Sequence, residues 1–362
     1  MSTNSYANRV CLRCRMQKRK CDKLLPVCSL CKRVNRVCSY MEPNGITGPG
    51  DSPEAVFSIS LPVPDLAQLT SANVSHTIRT QVLTIIGDER RIQAVAVVYF
   101  RTIHPWFPIL AEGPFYERLS HIFTHAIPDF SLLPLCMILL GASPVNDELP
   151  LRMRSLYILV KGFIASLEAT ETNSLELLQC RVLLSIFEVG HGMYPAAYIS
   201  MGANVRAAVA LGANAVSKAQ LEETFGSPGR ADEARCTWRG IVIADRALMT
   251  ILEFGCSFNI GRSDICATGS YGFIQDAVEE LVNASETFAA QITPADLEAL
   301  PVFTVHPIYK AARILLGVLK NSPRFDSRRA IGALERVLQC MGTRWMAGRR
   351  YLDDLNRQMI SS

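Results

Sequence analysis

The chain has 362 residues, 49% of them hydrophobic and 19% charged, with a formal net charge of +4. That much apolar material supports a sizeable core and excludes wholesale disorder. The glycine and proline counts (22 and 19) exclude collagen-like and low-complexity chains. No run of about 20 apolar residues is free of charges or breakers, and Leu132 to Leu140 is too short and holds Pro134. The polar start, Met1 to Val10, lacks a signal-peptide core. An intracellular, reducing setting is therefore expected, and the 12 cysteines are not read as a disulfide framework.

The charge is concentrated. Arg9 to Cys38 carries ten basic residues and one acid, Asp22, for a net +9. The rest holds 27 basic and 32 acidic residues, net −5. A strongly basic head on a mildly acidic body suggests a polyanionic partner for the head.

The same head holds Cys11, Cys14, Cys21, Cys28, Cys31 and Cys38, spaced C-x2-C-x6-C-x6-C-x2-C-x6-C. Two C-x2-C pairs in a short intracellular segment read as zinc ligation. One tetrahedral zinc would leave two thiolates unused, and two separate zincs need eight ligands where six exist. The arithmetic closes if two thiolates each bridge both metals. The symmetry of the two halves makes Cys11 and Cys28 the natural bridges. Cys136, Cys180, Cys236, Cys256, Cys266 and Cys340 lie scattered in apolar surroundings and read as core thiols.

The segment CLRCRMQKRKCDKLLPVCSLCKRVNRVCSY, Cys11 to Tyr40, resembles the DNA-binding domain of the fungal binuclear zinc-cluster transcription factors. The six cysteines, Arg15, Lys18, Lys20, Asp22 and Pro26 match that family's pattern. The resemblance implies two zinc ions, a nuclear location and binding to double-stranded DNA at CGG triplets. It assigns base readout to Lys18 and phosphate contacts to Arg15, Arg19 and Lys20. Gln17 departs from the family, which often has Arg or Lys there. A module of about 30 residues cannot bury enough surface to fold alone, so zinc supplies the missing free energy. The surrounding cations supply salt-dependent affinity, and a cationic donor suits the guanine acceptors of the major groove.

Glu42 to Pro64 contains five prolines and three glycines and is expected to be an extended or disordered linker. Relatives often place a coiled coil here, but no sustained apolar heptads occur, which leaves open monomeric binding or dimerisation through the body. From about His76 the pattern is helical. Expected helices are Arg90 to Ile103, Pro114 to Ile127, Leu149 to Leu167, Leu175 to Val189, Pro195 to Leu211 (stopped by Gly212), Ala231 to Phe254, Pro307 to Leu319 and Ser327 to Met341. The expected organisation is a zinc-cluster domain over 1–40, a linker over 41–75 and an all-α regulatory domain over 76–362. YFRTIHPWFPIL (Tyr99 to Leu110), AAYISMGANVRAAVAL (Ala196 to Leu211) and EARCTWRGIVIADR (Glu233 to Arg246) resemble the helical regulatory region downstream of many fungal zinc clusters. Trp106 and Trp238 are expected to be core anchors.

Enzyme signatures are absent. His121 and His125 share a helical spacing without the H-E-x-x-H form, Gly190-His191-Gly192 reads as a turn, and no phosphate-cradling or nucleophile-elbow glycine motif occurs. The last 41 residues hold eight Arg against four acids, so they form no acidic activation tail. The reading is a non-enzymatic, RNA polymerase II-type regulator that recruits transcription machinery. Its compact build resembles the pathway-specific regulators of secondary-metabolite gene clusters. The alternative is a ligand- or redox-responsive regulator of primary or nutrient metabolism whose body binds a small molecule.

Overall fold

A computed structural model describes residues 6–7, 10–11, 14–15, 17–25, 27–34, 38, 40, 71–119, 122, 128–256, 271–321 and 327–360. The chain divides into two compact units, residues 1–60 and 61–362. The first is a small cysteine-centred unit whose described residues include the short helix α1 (Ser29–Arg33). The second is helical among its described residues. Among the described residues there are no strands, only two isolated bridges, Tyr6 with Leu24 and Val145 with Glu148.

The body opens with α2 (Ser71–Ile86), which starts five residues before the expected onset at His76. Gly87, at a φ of 87°, turns the chain into α3 (Glu89–Thr102), where Asp88 accepts the Arg91 N–H at 2.9 Å as N-cap. Helix α3 buries Ile92, Ala96, Tyr99 and Phe100, a one-faced stripe at helical spacing. The next helix, α4 (Glu112–Leu119), falls within the span expected over Pro114 to Ile127; most of 120–127, including His121 and His125, lies outside the described residues. Then come α5 (Pro128–Leu140), α6 (Leu151–Ala169), α7 (Leu175–Gly190), α8 (Tyr194–Leu211), α9 (Lys218–Phe225) and α10 (Pro228–Cys256). The remainder is α11 (Tyr271–Gln291), α12 (Pro294–Glu298), a 3-10 turn (Val302–Thr304), α13 (Val305–Asn321), α14 (Ser327–Gly342) and α15 (Met346–Ile360). The resemblance segments fall at the end of α3 and the turn after it, on α8, and on α10.

Helix α7 is the axis of the body. Every residue in it except Arg181 is buried, and α5, α6, α8, α10 and α15 all pack on it. A helix so enclosed has to pair most of the polar groups it carries, and only Gln179 Oε1 and Glu188 Oε2 find no hydrogen-bond partner among its described buried side chains. Gln179 donates to the Ile109 carbonyl at 2.9 Å, and Asn204 of α8 donates to Ser185 at 2.8 Å. Glu176 lies between Arg118 and Arg230, and Glu188 takes hydrogen bonds from Tyr157 and Lys161. Ser174 caps the start by accepting the Leu177 N–H at 3.1 Å. The end is the expected turn: Gly190 closes the helix, His191 caps it, and Gly192 takes a φ of 67°.

Helices α11, α13, α14 and α15 pack together as the second half of the body. Trp345, just before α15, is wholly buried and donates to the Leu300 carbonyl at 2.9 Å. A Cβ on Gly190 would lie 2.3 Å from the Trp345 ring, so any side chain there forces the ring or the helix to shift. Arg344 stacks 3.9 Å from the same ring and donates to the carbonyls of Leu140, Ala142 and Glu298. Trp106 and Trp238 are half-buried against the core, and Trp106 donates to the Thr102 carbonyl. The fully enclosed tryptophan is Trp345. No described helix is long and apolar enough to cross a membrane.

Candidate metal centre and nucleic-acid interface

The site forms from two turns of chain with matching geometry. The Arg15 N–H donates to the Cys11 carbonyl at 3.0 Å, and 17 residues on the Lys32 N–H donates to the Cys28 carbonyl at 2.9 Å. Each C-x2-C pair thus lies on one helical turn, which brings its two sulfurs to the same side. Cys28 is also the N-cap of α1 and accepts the Cys31 N–H at 3.4 Å, while its own N–H donates to Cys38 Sγ at 3.4 Å.

The sulfurs converge into two sets of four, Cys11, Cys14, Cys21 and Cys28, and Cys11, Cys28, Cys31 and Cys38. Within each set all sulfurs lie within 4.8 Å of one another, and both sets contain Cys11 and Cys28. Sγ separations of 3.8 Å join Cys11 to Cys28, Cys11 to Cys31 and Cys14 to Cys28. A tetrahedral zinc with bonds of about 2.3 Å spaces its sulfurs about 3.8 Å apart, so the donor set fits that ion. Burial and the neighbouring thiols push the Cys31 thiol up to about 12 and the Cys14 thiol further up. Desolvation also opposes ionisation of Cys28, but the Cys31 N–H donated to it holds this thiol below its ordinary value. Thiols packed this closely ionise together only when a cation compensates them.

Polar contacts around the sulfurs close the module. Both Asp22 oxygens accept the Ser29 N–H at 3.1 Å, and hydrogen bonding from the Ser29 side chain, then from its backbone, lowers the carboxyl pKa and places a negative charge at the start of α1. The only acid of the basic segment is thereby engaged. Tyr40 donates to the Leu24 carbonyl at 2.9 Å and sits 4.0 Å from Cys21 Sγ. Ala7 donates to the Lys23 carbonyl at 2.8 Å beside the Tyr6–Leu24 bridge. Sequence reasoning missed these closing roles of Tyr40, Tyr6 and Ala7, because each acts through an interaction remote in sequence.

Arg15, Lys18, Arg19 and Lys20 are all exposed, as is Gln17. Lys18 ends the first helical turn with a φ of 51°, and Arg19 N–H reaches back to the Cys14 carbonyl at 2.9 Å. This is a helix C-terminal closure that glycine usually provides, here formed by a lysine at a cost of about 1 kcal/mol. The strained residue is the one assigned to base readout by sequence resemblance.

Residues 9–45 match the family described as "Fungal Zn(2)-Cys(6) binuclear cluster domain", and residues 97–254 match "Fungal specific transcription factor domain". The chain is 36% identical over 127 residues to "Transcription factor BOA15" of Botryotinia fuckeliana, covering 34% of this chain and 68% of that protein. It is 58% identical over 38 residues to "Uncharacterized transcriptional regulatory protein YLL054C" of Saccharomyces cerevisiae, covering 10% of this chain and 4% of that protein. No solved structure matches the chain. A cysteine cluster shaped for zinc, an exposed basic turn beside it and a helical body with these matches lead to one conclusion: the chain belongs to the fungal zinc-cluster transcription factors, zinc- and DNA-binding regulators that are not enzymes.

Proposed function

We propose that this protein holds two zinc ions through Cys11, Cys14, Cys21, Cys28, Cys31 and Cys38, with Cys11 and Cys28 bridging. It reads CGG triplets in promoter DNA in the nucleus. The observation that carries this reading is the pair of four-sulfur sets sharing Cys11 and Cys28, directly beside four exposed cations. Zinc supplies the folding free energy this small unit lacks. Lys18 contacts the triplet, and Arg15, Arg19 and Lys20 contact phosphates, which fix register without carrying sequence information.

The regulated genes are those of one secondary-metabolite pathway, and the helical body over 76–362 couples DNA binding to the transcription machinery. The support for the pathway assignment is the resemblance of a zinc cluster and a helical body, joined without a heptad-bearing linker, to pathway-specific regulators. The test is a genome-wide binding profile of the tagged protein. CGG triplets under peaks gathered at adjacent biosynthetic genes are expected. Peaks without CGG would overturn the base-reading assignment, and CGG peaks scattered over nutrient-metabolism genes would overturn the pathway assignment.

A further inference from the structure

The six sulfurs of the cluster are unequally sheltered. Cys11, Cys14, Cys28 and Cys31 are at most 2% exposed, whereas Cys21 and Cys38 are half-buried. Each four-sulfur set contains one of the two half-buried sulfurs, Cys21 in the first and Cys38 in the second. A competing ligand or an electrophile arriving from solvent therefore meets each set through one of these two atoms.

Tyr40 stands beside both. It packs against the sulfur cluster, with its hydroxyl 4.0 Å from Cys21 Sγ and in hydrogen-bonding range of Cys38 Sγ. The same hydroxyl donates to the Leu24 carbonyl at 2.9 Å, which holds it in place from the loop between the two halves. A cysteine that keeps its proton can donate to the tyrosine oxygen, but a zinc-ligating thiolate only accepts. The hydroxyl is then the donor of this group. Its hydrogen has a carbonyl and two thiolates in reach, and bonds to an ionised acceptor are the stronger. A hydrogen bond to a thiolate draws charge from the sulfur and makes it a poorer nucleophile.

We propose that Tyr40 is a positioning residue for both metals, whose hydroxyl donates to the Cys21 and Cys38 thiolates in turn and so slows the exchange of zinc. The inference rests on the two-zinc reading above. It assigns Tyr40 more than the closing of the module, because a strut would act through Leu24 alone.

The test compares full-length, zinc-loaded wild type with Tyr40→Phe, which keeps the ring and removes the hydroxyl. Transfer to a chromophoric chelator gives the rate of zinc loss. Brief iodoacetamide labelling, mapped by peptide mass spectrometry, gives the order in which the sulfurs open. In wild type, labelling should begin at Cys21 and Cys38; a first label on one of the four buried sulfurs would overturn the proposal. Tyr40→Phe should release both ions about tenfold faster, since partners of this kind change metal affinity by roughly 10–100-fold. Early labelling should quicken at Cys21 and Cys38 and stay slow at the other four. Unchanged rates, or a change at one metal only, would overturn the proposal. So would faster labelling of all six sulfurs together, the outcome expected if only the Leu24 bond mattered. A wild type holding fewer than two ions would remove the two-zinc reading itself, and this inference with it.

Discussion

Cys28 belongs to both four-sulfur sets, whereas Cys14 belongs to one. Cys28→Ala therefore leaves each set with three thiols, and Cys14→Ala leaves the set of Cys11, Cys28, Cys31 and Cys38 complete. A structural zinc contributes on the order of 12 kcal/mol at neutral pH, and an even share per thiolate is about 3 kcal/mol. Cys28→Ala should then lower affinity about a hundredfold at both sites, and Cys14→Ala at one. Cys28→Ala also removes the acceptor of the Cys31 N–H, a further loss of about 1 kcal/mol at the start of α1. Native mass spectrometry counts the bound ions, and competition with a graded series of chelators reads the affinities. Cys28→Ala should lose both ions at a chelator strength that removes one from Cys14→Ala. Two tightly held ions in Cys28→Ala would refute the bridging argument, and so would identical titrations of the two variants.

Other consequences can be measured separately. Lys18→Ala should cut discrimination between CGG and a scrambled site by about 1–3 kcal/mol with the zinc content unchanged, read by fluorescence anisotropy. Alanine at Arg15, Arg19 or Lys20 should instead weaken both sites alike and reduce the salt slope by about 0.9 each. Gly190→Ala gains about 1 kcal/mol of helix propensity but drives a Cβ to 2.3 Å from Trp345, a repacking cost of up to about 3 kcal/mol. Net destabilisation in urea is expected, and an unchanged midpoint would contradict the packing. Burial, with Arg344 and Arg350 nearby, lowers the His191 pKa to about 3, and burial with Lys310 lowers that of His306 to about 4. His306 also contacts the Tyr351 hydroxyl at 3.2 Å, and His191 lies between the Phe187 and Trp345 rings. Below about pH 6.5 the unfolded chain binds protons that the folded body refuses, so stability falls as pH drops toward 4, by up to about 1.4 kcal/mol per unit per histidine. His191→Leu should flatten that slope in denaturation at pH 6 and pH 4.5; an unchanged slope would remove His191 from the linkage.

Helices with one buried stripe were legible because their apolar residues repeat at helical spacing, as in α3. Helix α8 was legible from its punctuation, with Pro195 in its first turn and Gly212 in the left-handed conformation just past its end. Others were not. Helix α5 reads as an apolar run broken by Pro134, because a helix buried on many sides has no polar phase to reveal its period. Helix α11 and the arginine-bearing α15 also went unnoticed. The terminal arginines hid an apolar stripe of Ala347, Tyr351, Leu352 and Leu355 that packs against α13 and α14.

The sequence by itself determined the metal chemistry, the family and the basic turn, because zinc ligation is set by thiol type and short-range spacing. The pairing of Cys11 with Cys28 in both sulfur sets follows from the same symmetry. Only the tertiary structure decided that α7 is enclosed and that Gly190 makes room for Trp345. Those facts depend on which helices meet across more than 100 residues of chain, and no local pattern encodes a neighbour that distant.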